Sequence, residues 1–159
     1  MSSLSNNDEK WKQKKEEWKN KLEELEIPEE LNGKISYYES ELDKLNMQAR
    51  WEYQELKSKL DKVNSIIKEV KKMNKDKGSN REQREANAMR HVTNYNSSMN
   101  PGSGDTINLL DYKRKIKKRV TFYEDYVLAV IKDKSKRLMA NIGAMKVEAQ
   151  VTSNTEYTA

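Results

Sequence analysis

Six apolar residues recur every seven positions without a break: Ile35, Leu42, Ala49, Leu56, Val63 and Val70. Seven is close to two turns of 3.6 residues, so all six fall on one face of a helix. Their companions begin as Tyr38 and Leu45, drift to Tyr53, Leu60 and Ile67, and end at Met73. That drift is the slip of an α-helical turn against a strict heptad. One helix over roughly residues 33–74, at about 1.5 Å per residue, is about 60 Å long. A compact domain is shorter, so such a helix packs antiparallel on a partner helix or coils with another copy.

Three further helices are expected around it. The first spans about 8–26, with Asp8 as its cap and Trp11, Trp18, Leu22 and Leu25 on one stripe. Pro28 pushes the residue before it out of α geometry and ends this helix. Packing of the two Trp against a neighbouring helix or subunit is favoured over base stacking. Gly78 closes the long helix, and Ser79 with Glu82 makes a capping-box pattern for a short third helix. Ala86, Met89, Val92 and Tyr95 give that helix an apolar face. The last helix, about 108–150, carries Ile116, Val120, Tyr123, Val127, Ile131, Leu138, Ile142, Met145 and Ala149.

The fold class that follows is all-α and oligomeric. Two long helices form an antiparallel, hairpin-like frame, with the short helix between them and the N-terminal helix beside it. The segments are 1–27 as a charged amphipathic helix, 28–96 as long plus short helix, and 97–107 as a flexible loop. Residues 108–150 form the assembly helix and 151–159 a polar, disordered tail. Val127, Ile131, Leu138, Ile142 and Met145 are the oligomerisation candidates.

Composition narrows the function classes. Charged residues reach 36% and hydrophobic ones 35%, below the usual apolar share of roughly 45–50%. One copy therefore buries a thin core, which association would thicken. The chain has no Cys, which removes disulfides and thiol chemistry and suits a reducing compartment. No apolar run approaches the roughly 18 residues of a membrane span. The opening MSSLSNNDEK lacks the apolar core of a secretion signal, so a cytoplasmic location is expected. His91 is the single histidine, and the Gly102/Gly104 loop lacks the Gly-Lys-Ser/Thr of a phosphate-binding loop. No enzymatic role, cofactor or metal is expected.

Charge is spread unevenly. Residues 1–60 carry 11 Lys/Arg and 14 Asp/Glu, a balance of −3; residues 61–159 carry 20 and 12, a balance of +8. Two clusters stand out. Lys68, Lys71, Lys72, Lys75, Lys77, Arg81 and Arg84 surround the Gly turn. Lys113, Arg114, Lys115, Lys117, Lys118 and Arg119 place six positive side chains in seven positions, with Ile116 facing inward. Phosphate backbone would relieve their mutual repulsion by releasing condensed counterions. The competing reading is a solvated face meeting the acidic N-terminal helix. Tyr112 and Tyr95 are the better candidates for stacking on bases, because Tyr123 lies on the apolar stripe.

The order of parts resembles a known family. A charged N-terminal helix precedes a long helix with Tyr and Trp. A Gly-bearing turn then leads into Arg81–Ala86 (REQREA), and the chain closes on a long helix ending KSKRLMANIGAMKVEAQ, residues 134–150. Over about residues 35–150 this layout is similar to the phage recombination mediators typified by UvsY. The resemblance implies a helical, ring-like homo-oligomer that binds single-stranded DNA. It would help load a RecA-type recombinase onto strands covered by single-strand-binding protein. It also implies DNA contacts from basic residues near a helix end, where Lys71, Lys72, Lys75 and Lys77 sit, and assembly through the C-terminal helix. The acidic N-terminal helix with Trp11 and Trp18 departs from that pattern. Two other readings remain: a coiled-coil scaffold of a phage particle, and a helical inhibitor that docks on a host protein through the Trp-bearing helix.

Overall fold

A computed structural model describes residues 3–74, 80–96 and 106–158, with side chains over 8–74, 80–95 and 106–148. The described chain is mostly helical. In order it forms α1 (Ser3–Glu24), α2 (Ile35–Asn74), α3 (Arg81–Thr93), β1 (Tyr95–Asn96), β2 (Thr106–Ile107), α4 (Leu109–Phe122), a π-turn (Tyr123–Val127) and α5 (Leu128–Thr158). It divides into two compact units. Unit 1 is Met1–Arg50 with Tyr123–Ala159, and unit 2 is Trp51–Phe122. The boundaries therefore fall inside α2 and at the start of the π-turn.

Unit 1 is built on the expected stripes. Trp18 and Leu22 of α1, Leu42 and Ala49 of α2, and Tyr123, Val127, Ile131 and Leu138 are all buried. The Trp18 indole N–H donates to the Tyr123 hydroxyl at 3.2 Å, and the two rings meet edge to face at 6.1 Å. Trp11 adds a tilted contact to the same Tyr123 ring. Lys21 lies 5.5 Å over the Trp18 ring and donates to Gln48 of α2. α1 thus spends its tryptophans on its own chain, as the packing reading expects.

The α1–α2 connection is more structured than the sequence suggests. Leu25 makes the last helical bond, to the Lys21 carbonyl. The chain then buries Ile27 and Leu31 in one core with Leu42 and Leu138. Asn32 and Gly33 both have positive φ, and the Lys34 N–H closes on the Leu31 carbonyl at 3.0 Å. That is the Asn-Gly signature of a tight turn with left-handed central residues. α5 supplies two caps. Lys134 Nζ donates to the Leu25 carbonyl and Asn141 Nδ2 to the Pro28 carbonyl, each at 2.7 Å. Both carbonyls would otherwise lack partners near the helix end. Burial, reinforced by Arg137 and opposed by Glu26, lowers the Lys134 pKa.

Unit 2 has an aliphatic core of Val63, Ile67, Val92, Ile107 and Leu109, with Ile66, Val70, Tyr95, Leu110 and Tyr112 packed around it. Tyr95 pairs with Ile107, and Asn96 with Thr106, in a two-residue antiparallel ladder. The ladder holds both ends of the segment read as a loop; residues 97–105 lie outside the described residues.

Several boundaries differ from expectation. α1 begins at Ser3 rather than Asp8, since nothing in Leu4–Asn7 forbids helix. The α3 cap is Asn80, one residue past Ser79, its side chain accepting the Gln83 N–H at 2.9 Å. Ala88 and Val92 face inward in α3, while Ala86 and Met89 are exposed. The long C-terminal helix is not uniform: a π-turn interrupts it at Tyr123–Val127. α5 runs on to Thr158, so helix occupies the segment expected to be a disordered tail, which has neither Pro nor Gly to stop it.

Candidate nucleic-acid interface

All eleven described residues of the basic clusters belong to unit 2. By sequence count unit 2 holds 17 Lys/Arg against 9 Asp/Glu, a balance of +8, and unit 1 holds 14 against 17, a balance of −3. The contrast seen between chain halves is therefore a contrast between folded units.

α4 displays the densest part. Asn108 caps it, its carboxamide oxygen accepting the Leu110 and Asp111 N–H groups at 3.0 and 3.3 Å. Leu109, Ile116 and Val120 are buried along its inner face. That anchoring leaves Arg114, Lys117 and Lys118 exposed and Lys113, Lys115 and Arg119 half-buried. Arg114 is paired with Asp111 at 3.2 Å, an exposed pair worth about 0–1 kcal/mol. Lys115 and Arg119 are engaged with neighbouring groups. Lys117 and Lys118 have no ion pair among the described residues.

The other cluster is more divided. Lys71 and Lys72 are exposed on the last turn of α2, where positive charge suits the helix dipole. Arg81 is exposed but bonded to Glu85 at 3.1 Å. Arg84 is exposed and has its own neighbour. Lys75 and Lys77 lie outside the described residues. Asn74, on the same last turn of α2, is buried and donates to the Val70 carbonyl.

The tyrosines expected to stack on bases are placed otherwise. Tyr95 and Tyr112 pack against the unit 2 core. Burial pushes the Tyr112 phenol above its ordinary pKa, with Arg119 partly offsetting it. Both rings are half-buried. The oligomerisation candidates also divide. Val127, Ile131 and Leu138 are buried inside unit 1, and Ile142 packs against the core that holds Leu138. Met145 is 41% exposed, one turn further along the same stripe. Val127, Ile131 and Leu138 are thus used within the chain, and the distal part of the stripe is left for a surface role.

No group of three or more His, Cys, Asp or Glu is placed to hold a metal ion among the described residues, and none of their helices is long and apolar enough to cross a membrane. Comparison with protein-family models, with curated proteins and with solved structures returns no match.

Proposed function

We propose that the chain is an oligomeric single-stranded-DNA-binding protein acting as a recombination mediator that helps load a RecA-type recombinase. The observation that carries the binding half is the +8 balance of unit 2, with Lys71, Lys72, Lys117 and Lys118 exposed on it. Acidic side chains inside the unit are too few to neutralise that charge. A polyanion does so and gains the entropy of released counterions. The mediator half rests on the layout shared with the UvsY-like family. The two long helices are proposed to run antiparallel as a hairpin-like frame.

Assembly is proposed to use the far part of α5. Burial along its stripe declines from Leu138 through Ile142 to Met145, so the apolar face outlasts its partners in the chain. Several copies would multiply modest phosphate contacts into useful affinity.

Light scattering with and without a labelled single-stranded oligonucleotide, across a salt series, tests both halves of the binding proposal. The expected result is a mass of several chains and an affinity that falls steeply with salt. A single-chain mass, or no binding at low salt, defeats it. The scaffold reading predicts the same mass with no protection of single strands from nuclease.

A further inference from the structure

Unit 2 exposes one aromatic ring among its described residues. Trp51 is 65% exposed, while Tyr53, Tyr95, Tyr112 and Phe122 are half-buried. A tryptophan left in water forgoes the burial of one of the largest apolar side chains, which leaves its ring available to a partner. The neighbours on its helix face within the unit are Gln54, Glu55, Ser58 and Lys62, three, four, seven and eleven residues on. All four are exposed and none is apolar. The indole therefore stands as an open, flat platform, with the exposed Met47 one turn before it on the same helix.

The charge of the unit selects among occupants. A second copy of unit 2 would bring a balance of +8 against +8, which repels. An acidic peptide satisfies the charge but carries a planar group only where its sequence includes an aromatic or Arg residue, whereas every nucleotide carries one. Duplex nucleic acid satisfies it too, yet its bases are stacked on one another. A single strand brings phosphates for the lysines and free base faces for the ring. We propose that Trp51 is a base-stacking residue for single-stranded nucleic acid bound on unit 2. This inference rests on the binding function proposed above and supplies the stacking group that Tyr95 and Tyr112 do not.

The test uses the full chain and a fluorescein-labelled oligothymidylate of about 16 nucleotides, the upper range of a single binding site. Binding is followed by anisotropy and by the protein's own indole emission. Titration of the wild type is expected to quench that emission. Trp51→Ala should weaken binding about 10- to 100-fold and abolish most of the quench. Its salt dependence should match the wild type, because no phosphate contact is lost. Trp51→Phe should recover most of the affinity. The inference is overturned if the Ala variant binds as tightly as the wild type and retains the quench. It is also overturned if that variant changes the light-scattering mass with unaltered binding per chain, which would place Trp51 between copies. Absence of wild-type binding at low salt defeats the binding function itself, an outcome distinct from a wild type that binds and a variant that binds equally well.

Discussion

The two units solve the problem of a thin core differently. Unit 1 is close to neutral and concentrates its packing on large side chains, with Trp18 and Tyr123 joined by a hydrogen bond and Leu22, Leu31 and Val127 fully buried. It also ties its connection down with the Lys134 and Asn141 caps. Unit 2 packs Val63, Ile67, Val92, Ile107 and Leu109, which are aliphatic, and surrounds them with a surplus of like charge. Self-repulsion of that surplus opposes the compact state. The difference teaches that the chain separates its labour: one unit concentrates its large side chains in a cohesive core, while the other carries the electrostatic imbalance.

The hardest test of this contrast is removal of the Trp18 ring. Trp18→Ala should cost about 3–5 kcal/mol in urea unfolding, because it opens a cavity and leaves the Tyr123 hydroxyl without its donor. Oligonucleotide affinity of the remaining folded protein should be unchanged; a parallel loss of binding would show that the units are not separable. Next in size is the double substitution Lys117→Ala with Lys118→Ala. Two lost phosphate contacts should make the slope of log affinity against log salt shallower by about 1.4 for a single strand, with the unfolding midpoint unchanged or raised. An unaltered slope would move the interface off α4.

Asn80→Ala removes the cap of α3 and should destabilise the protein by about 1 kcal/mol, measured by denaturant titration. Ser79→Ala should have the smaller effect of the two. The smallest effect is expected from Tyr112→Phe. Burial raises the Tyr112 phenol above its ordinary 10.0 in the folded state, so the unfolded chain releases this proton first. Its contribution is fully present below that value and is lost as pH rises through the folded one. Unfolding midpoints on either side of 10.0 should therefore fall more in the wild type than in the Phe variant.

The long-range periodicities were readable from sequence because burial writes them directly into residue type. Leu42, Ala49 and Val63 on α2, and the run from Ile116 to Leu138, are buried where the seven- and four-residue spacings place them. Short elements carry too few repeats for that. In α3 the pairs Ala86–Met89 and Ala88–Val92 are both plausible inner faces, and the core around Val92 decides between them. The Lys134 and Asn141 caps join residues 109 and 113 positions apart, so no local pattern announces them. The basic clusters were visible as runs of Lys and Arg, but their gathering on one unit depends on where α2 is divided. Trp51 was masked by its setting in a heptad helix, where an aromatic reads as packing until the phase is known.

The π-turn has a consequence for how this chain tolerates insertion and deletion. Such a turn is a place where an α-helix accommodates one surplus residue without disturbing the turns on either side. Removing Glu124 or Asp125, both exposed within it, should let the segment relax to regular α-helix with the flanking faces kept in phase. Removing Lys132 or Asp133, exposed in α5, instead rotates everything beyond by about 100°. Leu138 and Ile142 would then leave Ile27, Leu31 and Leu42. Thermal unfolding of the two deletion variants should separate a length change that the helix absorbs from one that dismantles its core.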